Sequence, residues 1–140
     1  MSSFLTPLEV IYIDGRKWKL ADPFVYVLGP DLSGSERVDV PQGFVTDFAS
    51  IPRGLWNVLP PTGGYGKAAV IHDFLYQLRK ITPQSTDLPV RLCDRGEADR
   101  LLKEGMEVLG VGKFTRWVVY YGVRAGGWAA WNRYRKAEQA

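Results

Sequence analysis

Apolar and polar positions alternate in the first third of the chain, which is typical of short β-strands with one wet face. Residues 8–13 are dense in β-branched and aromatic side chains, and Asp14-Gly15 follows them. That dipeptide favours a tight hairpin turn, so we predict a return strand over residues 16–20, where Trp18 and Leu20 alternate with lysines. Further short strands are predicted at residues 24–28, 37–40 and 44–48.

The hydrophobic period changes to that of a helix in the second half. Ala68, Ile71 and Leu75 lie at helical spacing and predict a helix over residues 65–79. Residues 81–93 contain two prolines and are predicted to form a long loop.

Two further helices are predicted beyond this loop. Asp94 stands three residues before Glu97, an arrangement that favours a helix start, and Gly110 is expected to end that helix. The last helix is predicted over residues 114–136 and is weakened at Gly126-Gly127, because interior glycines disfavour helix.

These elements predict an α+β fold in which a small N-terminal antiparallel sheet, made of a hairpin and short strands, packs against about three C-terminal helices. A chain of 140 residues fits a single domain spanning residues 1–140. Within it, residues 1–52 are expected to be mainly β and residues 53–140 mainly α.

The net charge of +3 conceals an uneven distribution. Residues 113–140 contain six basic and one acidic side chain, together with Trp117, Tyr121, Trp128 and Trp131, whereas residues 1–112 carry a slight negative balance. The aromatic residues predict that this last helix packs against its own sheet or against a neighbouring subunit.

Several classes of protein are disfavoured by composition. The single cysteine, Cys93, excludes an internal disulfide and a sulfur-ligated zinc site. The N-terminus lacks the features of a secretory signal, and the longest apolar stretch, residues 117–131, is interrupted and too short to span a bilayer. We therefore expect no signal peptide and no membrane span.

Three polar signatures stand in apolar surroundings and are the candidates for a site. Asp47 and Ser50 follow a predicted strand, and His72-Asp73 lies within the first predicted helix, where His72 shares a face with apolar residues. Asp99 lies on the inward face of the second helix. A buried carboxylate requires a partner, so His72 and Asp99 are expected to meet, with Asp47 reaching in from the sheet.

This constellation suits two kinds of chemistry. His72, Asp47 and Asp99 are candidate ligands of a divalent metal ion that activates water, and His72 is also a candidate general base held by a carboxylate. In either case Asp73 and Ser50 are candidate catalytic or supporting residues. The sequence implies no other cofactor.

Each residue also has a structural interpretation. His72 alone on a partly apolar helix face suits a structural histidine, and Asp47 and Ser50 suit the cap of a short helical turn near residues 52–58. Asp99 suits an ion pair with an arginine such as Arg53 or Arg95. The sequence leaves both sets of interpretations open.

The order of three motifs resembles the phage and prophage family catalogued as domain of unknown function 1353. The motifs are Thr46-Asp47-Phe48-Ala49-Ser50-Ile51-Pro52, His72-Asp73-Phe74-Leu75-Tyr76 and Ala98-Asp99, within a resemblance that spans residues 41–124. The resemblance implies a bacteriophage origin near tail or lysis functions, with a location in a virion or in the host cytoplasm. It implies no established activity.

Three hypotheses about function follow. The first is a virion-associated protein of the tail or baseplate region, whose partners are other virion subunits. The alternative is a metal-dependent hydrolase that acts on the host cell envelope. The third, a nucleic-acid-binding accessory protein, is disfavoured because Arg116, Arg124 and Arg133 are interleaved with core-type aromatic residues and form no dense basic stripe.

Overall fold

The fold is α+β, as the hydrophobic pattern predicts, in a computed structural model that describes residues 3–4, 8–14, 17–28, 36–46, 66–83 and 89–139. These residues form eight short strands and four helices. The elements are β1 (Ser3–Phe4), β2 (Val10–Asp14), β3 (Lys17–Leu20), β4 (Phe24–Val27), β5 (Glu36–Val40), β6 (Val45–Thr46), α1 (Gly66–Leu78), β7 (Lys80–Pro83), β8 (Arg91–Leu92), α2 (Arg95–Val108), α3 (Lys113–Gly126) and α4 (Trp128–Gln139).

The strands form two antiparallel sheets, with the orders β1-β4-β5-β7-β8 and β2-β3-β6. The predicted hairpin is confirmed: β2 pairs with β3, Val10 lies opposite Leu20, and the register shifts between Tyr12 and Asp14. The strands predicted near residues 24–28 and 37–40 are confirmed as β4 and β5. The strand predicted at residues 44–48 is present as β6, and its last two residues lie outside the described part of the chain.

The loop predicted over residues 81–93 is wrong at both ends. Residues 80–83 form β7, which pairs with β5, and residues 91–92 form β8, which pairs with β7. Pro83 favoured a loop in the prediction. It is compatible with a strand here because it occupies the last position of β7, where the missing N–H costs little. Arg91 holds β8 in place by ion pairs with Glu36 of β5 and Glu97 of α2.

Helix α1 is confirmed and lies at the centre of the fold, in contact with the sheets and with α2 and α4. Every residue from Ala68 to Tyr76 is buried, so the helix has no wet face over that stretch. Arg79 follows the helix with a positive φ of 61°. Two carbonyl groups in the last turn of α1, those of Tyr76 and Gln77, accept hydrogen bonds from Arg135 of α4.

Helix α2 begins as predicted. The Asp94 side chain accepts a hydrogen bond from the Glu97 N–H at 2.7 Å, which satisfies one of the free N–H groups of the first turn. The Glu97 carboxylate does not complete a capping box, because it bonds Arg91 instead. Gly110, with a φ of +82°, follows the end of the helix.

The single helix predicted over residues 114–136 is wrong, since Gly127 separates α3 from α4. The described residues therefore contain four helices, where about three were predicted. A Cβ built on Gly127 would lie 2.6 Å from the Val123 carbonyl oxygen and closer still to Tyr76 Oη. Glycine at this position lets the α3–α4 junction approach the buried Tyr76 of α1.

Two clusters of apolar side chains form the core. One joins the sheets to α1 and includes Phe24, Tyr26, Val38 and Leu75. The other lies between α1, α2 and α3 and contains Ala68, Ala69, Leu102, Met106, Val111, Val119 and Val123. No helix in the described ranges combines the length and the apolar character needed to cross a bilayer.

The close approach at Gly127 predicts a specific loss of stability. Gly127→Ala should lower the free energy of unfolding by about 2–3 kcal/mol, because the added methyl group overlaps Tyr76 and the backbone of α3. Gly112→Ala, where a Cβ would meet nothing within 4 Å, should cost less than about 1 kcal/mol. Urea denaturation of both variants checks this expectation, and an equal loss in the two would contradict it.

Candidate functional site

His72 of α1 and Asp99 of α2 are in direct contact. His72 Nε2 lies 2.7 Å from Asp99 Oδ1, and both side chains are fully buried. Each projects inward because it occupies the apolar face of its helix, as the periodicity indicates. The contact predicted from the sequence is thus confirmed.

Three more side chains donate hydrogen bonds to the same carboxylate. Tyr76 Oη donates to Oδ1 at 2.7 Å, Arg124 Nη1 to Oδ2 at 3.0 Å, and Arg95 Nη1 to Oδ2 at 3.5 Å. We call His72, Tyr76, Arg95, Asp99 and Arg124 the Asp99 cluster. Each carboxylate oxygen of Asp99 therefore accepts hydrogen bonds from two donors, and the four donors come from α1, α2 and α3.

Only part of this cluster was predicted from the sequence. The ion pair with Arg95 was one of the alternatives proposed for Asp99, and it is present. Arg53, the other arginine considered, lies outside the described residues. Tyr76 and Arg124 were missed, although Tyr76 stands one helical turn after His72, which was a signal that the two side chains share a face.

The charge states of the cluster follow from its hydrogen bonds. Burial by itself raises the pKa of Asp99, but hydrogen bonds from His72, Tyr76 and Arg124 outweigh it and hold that pKa below its usual value. Burial and the neighbouring Asp99 charge raise the pKa of Tyr76, which stays neutral. Because an ionised carboxylate only accepts hydrogen bonds, His72 carries a hydrogen on Nε2 and donates it to Asp99.

Asp73 contacts a different part of the fold. Its Oδ2 accepts hydrogen bonds from Thr46 Oγ1 at 2.6 Å and from Gln77 Nε2 at 3.1 Å. Thr46 ends β6, so this buried pair ties α1 to the smaller sheet. Among the predicted site residues, His72 and Asp99 are therefore in contact with each other, whereas Asp73 is hydrogen-bonded to Thr46.

Asp47 and Ser50 lie outside the described residues, as does the helical turn considered near residues 52–58. Asp47 directly follows Thr46, the partner of Asp73. In the ranges that are described, no three His, Cys, Asp or Glu side chains are grouped as a metal site. The proposed ligand set of His72, Asp47 and Asp99 stays a prediction.

Cys93 offers no reactive thiol. It is buried directly after β8, and burial raises the pKa of its thiol to about 12. At neutral pH the thiol is protonated and is a poor nucleophile.

A family comparison covers these residues. Residues 18–123 match the family described as "Protein of unknown function (DUF1353)". The chain belongs to this family. The match includes Asp47, Ser50, His72, Asp73 and Asp99, and it ends within α3, one residue before Arg124. No curated protein and no solved structure matches the chain.

In this DUF1353 protein, most of the C-terminal aromatic residues lie on the surface. Of the four that were predicted to pack, only Trp131 contacts the core, meeting the Tyr76 ring edge-on at 5.2 Å. Trp117, Tyr121 and Trp128 are exposed. Packing against the chain's own sheet, the first of the two predicted alternatives, is wrong for these three residues, because the apolar stripe that faces α2 consists of Val119 and Val123. Packing against a neighbouring subunit stays a prediction.

Three aromatic residues of α3 are exposed on one surface. We call this surface the α3 aromatic face and define it as Phe114, Trp117 and Tyr121. Phe114 is 80% exposed and Tyr121 is 62% exposed. The Trp117 and Tyr121 rings stack with centroids 5.4 Å apart, and Lys103 Nζ of α2 lies 4.0 Å from the Trp117 centroid. Neither Phe114 nor Lys103 was predicted from the sequence to belong to a functional surface.

The lowered pKa of Asp99 predicts how stability depends on pH. Since folding favours the ionised form, the stabilisation is present above the unfolded pKa of about 4 and is lost as the pH falls below it. Asp99→Asn removes the charge and leaves Arg95 and Arg124 without their carboxylate, so it should cost about 3 kcal/mol at neutral pH.

Chemical denaturation at neutral pH and near pH 3 checks this prediction against Glu107→Gln, an exposed substitution on the same helix. The difference between wild type and Asp99→Asn should shrink in acid. The control should stay within about 0.5 kcal/mol of wild type at both values. A difference that is absent, or that does not change with pH, would contradict the assignment.

Proposed function

We propose that the chain is a virion-associated protein of a bacteriophage or prophage, located in the tail or baseplate region, and that it binds a neighbouring subunit through the α3 aromatic face. The exposure of Phe114, Trp117 and Tyr121 is the observation that carries the proposal. The phage context rests on the order of the three sequence motifs.

The α3 aromatic face has the composition of a protein-binding surface. Aromatic side chains bury a large area at low entropic cost and are enriched at the centres of protein interfaces. Stacking of Trp117 on Tyr121 orders both rings before any partner arrives. The cation of Lys103 over Trp117 favours a partner with acidic groups at the rim of the contact.

The Asp99 cluster supports this surface from inside. Arg95 donates to the carbonyl oxygens of Val123 at 2.9 Å and Arg124 at 3.1 Å, and Arg124 itself binds Asp99. The buried carboxylate thereby fixes the C-terminal end of α3 and the direction in which its outer face points. In this proposal His72 and Asp99 have a structural role.

Mass spectrometry of purified virions tests the proposal, with the chain expressed from its own phage or prophage. The wild-type chain should be present in the particles. A Trp117→Ser/Tyr121→Ser variant should accumulate in infected cells but be lost from virions, because the aromatic contact is gone. Leu92→Ser, at a side chain that is 57% exposed on β8, is the matched control and should be retained.

Two outcomes would contradict the proposal. One is absence of the wild-type chain from virions when it is present in infected cells. The other is incorporation of the double variant at the wild-type level.

A metal-dependent hydrolase acting on the host envelope is the second candidate, and the buried His72–Asp99 contact favours it. In this function, a carboxylate orients the imidazole, and Asp47 would be a further ligand or base. Asp99 already accepts four hydrogen bonds, so a metal ion would have to displace some of its donors.

Calorimetric titration of the intact chain with Zn²⁺ and Mn²⁺, together with an assay of fragments released from purified peptidoglycan, tests this candidate. It predicts saturable metal binding that Asp47→Asn weakens about tenfold or more and Glu107→Gln leaves unchanged. Absence of both metal binding and fragment release would contradict it.

A further inference from the structure

Strand β2 is an exposed apolar edge. It is the outer strand of the β2-β3-β6 sheet, and no strand within the described ranges pairs with its other side. Its residues Val10, Ile11, Tyr12 and Ile13 are all exposed, and Ile11 reaches 51%. An edge of this kind presents unpaired backbone groups and binds another extended strand unless it is blocked.

Hydrogen bonds of the neighbouring strand show which backbone groups face outward. Leu20 donates its N–H to Phe44 and accepts from Gly43, so both of its backbone groups point away from β2. Val10, which lies opposite Leu20, is therefore in a non-hydrogen-bonded pair. Glu9, the next residue, accepts from Ala21 and does face β3.

Alternation along the strand then fixes the rest of the edge. Ile11 bonds toward β3, whereas the N–H and C=O groups of Val10 and Tyr12 point to the open side. The register shift between Tyr12 and Asp14 ends this regular pattern. The open edge therefore offers two residues, spaced two apart, with both backbone groups available.

We propose that two copies of this chain pair through β2, antiparallel, about a two-fold axis at Ile11. Val10 of each copy then bonds Tyr12 of the other through both backbone groups, and Ile11 lies opposite Ile11. Four backbone hydrogen bonds form. The two three-stranded sheets become one continuous sheet of six strands.

The sequence of the edge is the reason for choosing a second copy as the occupant. The two-fold arrangement uses all the outward groups of Val10 and Tyr12, and every pair it makes among residues 10–12 is apolar. Glu9 falls opposite Ile13, so no like charges face each other. Moving the axis to Tyr12 would instead place Val10 opposite Asp14, beyond the register shift.

Disulfide capture tests the position of the axis. Ile11 would face its own copy in a non-hydrogen-bonded pair, where Cα atoms are about 4.5 Å apart and a disulfide fits. Ile11→Cys should therefore form a covalent dimer under mild oxidation. Val45→Cys, 40% exposed on β6 at the opposite edge of the same sheet, is the matched control and should form no covalent dimer. The native Cys93 is buried.

Sedimentation at increasing concentration gives the second measurement. Wild type should show a concentration-dependent dimer, Ile11→Lys should abolish it by placing two ammonium groups opposite each other, and Val45→Lys should leave it unchanged. Circular dichroism confirms that each variant is folded. This inference is independent of the proposed virion role, since it concerns another surface and is measured on the isolated chain.

Three results would overturn the inference. They are a chain that stays monomeric at every concentration, equal cross-linking of the Ile11→Cys and Val45→Cys variants, and a dimer that survives Ile11→Lys. A dimer lost only in the Trp117→Ser/Tyr121→Ser variant would assign self-association to α3 and would overturn it as well.

Discussion

The buried carboxylate of Asp99 is the interaction on which the arrangement of the helices depends. A fully buried charge is tolerated only when its hydrogen-bonding capacity is filled. Here the donors come from His72 and Tyr76 of α1, Arg95 of α2 and Arg124 of α3. Because these side chains must converge on one group, the three helices have little freedom to slide or rotate against one another.

The same constraint extends to α4 through Tyr76. Its hydroxyl binds Asp99, its ring meets Trp131, and its position requires glycine at residue 127. Arg135 lies over the Trp131 ring at 4.4 Å and donates to the last carbonyls of α1. The basic C-terminal segment is thus anchored by a few inward side chains, while Phe114, Trp117, Tyr121 and Trp128 are exposed.

This division explains how the chain combines a filled interior with an exposed aromatic surface. Val119 and Val123 suffice to cover the apolar side of α3, which leaves the α3 aromatic face without a role in the core. Charge is also distributed unevenly along the chain, since residues 113–140 are strongly basic and residues 1–112 are slightly acidic. Assembly is the function that we propose from this arrangement, and in that proposal the buried His72–Asp99 contact has a structural role.

Local chemistry made several features predictable from the sequence. The Asp14-Gly15 turn signal gave the hairpin, helical spacing gave α1, and Asp94 marked the start of α2. The His72–Asp99 contact was predictable because a carboxylate on an inward helix face needs a partner.

The predictions that failed concern features that depend on contacts between distant segments of the chain. Strands β7 and β8 are too short to have a period of their own and are held by pairing with β5 and by Arg91. The break at Gly127 depends on Tyr76, fifty-one residues earlier in the chain. The aromatic residues of the last segment predicted packing against the core, but valines occupy the inner face of α3. Which face of the helix is buried is decided by its contact with α2.

Nuclear magnetic resonance of the His72 ring is the most direct test of the central claim, because His72 is the single histidine and its signals need no assignment. If Asp99 holds the fold together, the Nε2 hydrogen of His72 is present at neutral pH, exchanges slowly with water, and is lost or strongly shifted in Asp99→Asn. An Nε2 without a hydrogen, or one that exchanges freely in a folded protein, would contradict the account.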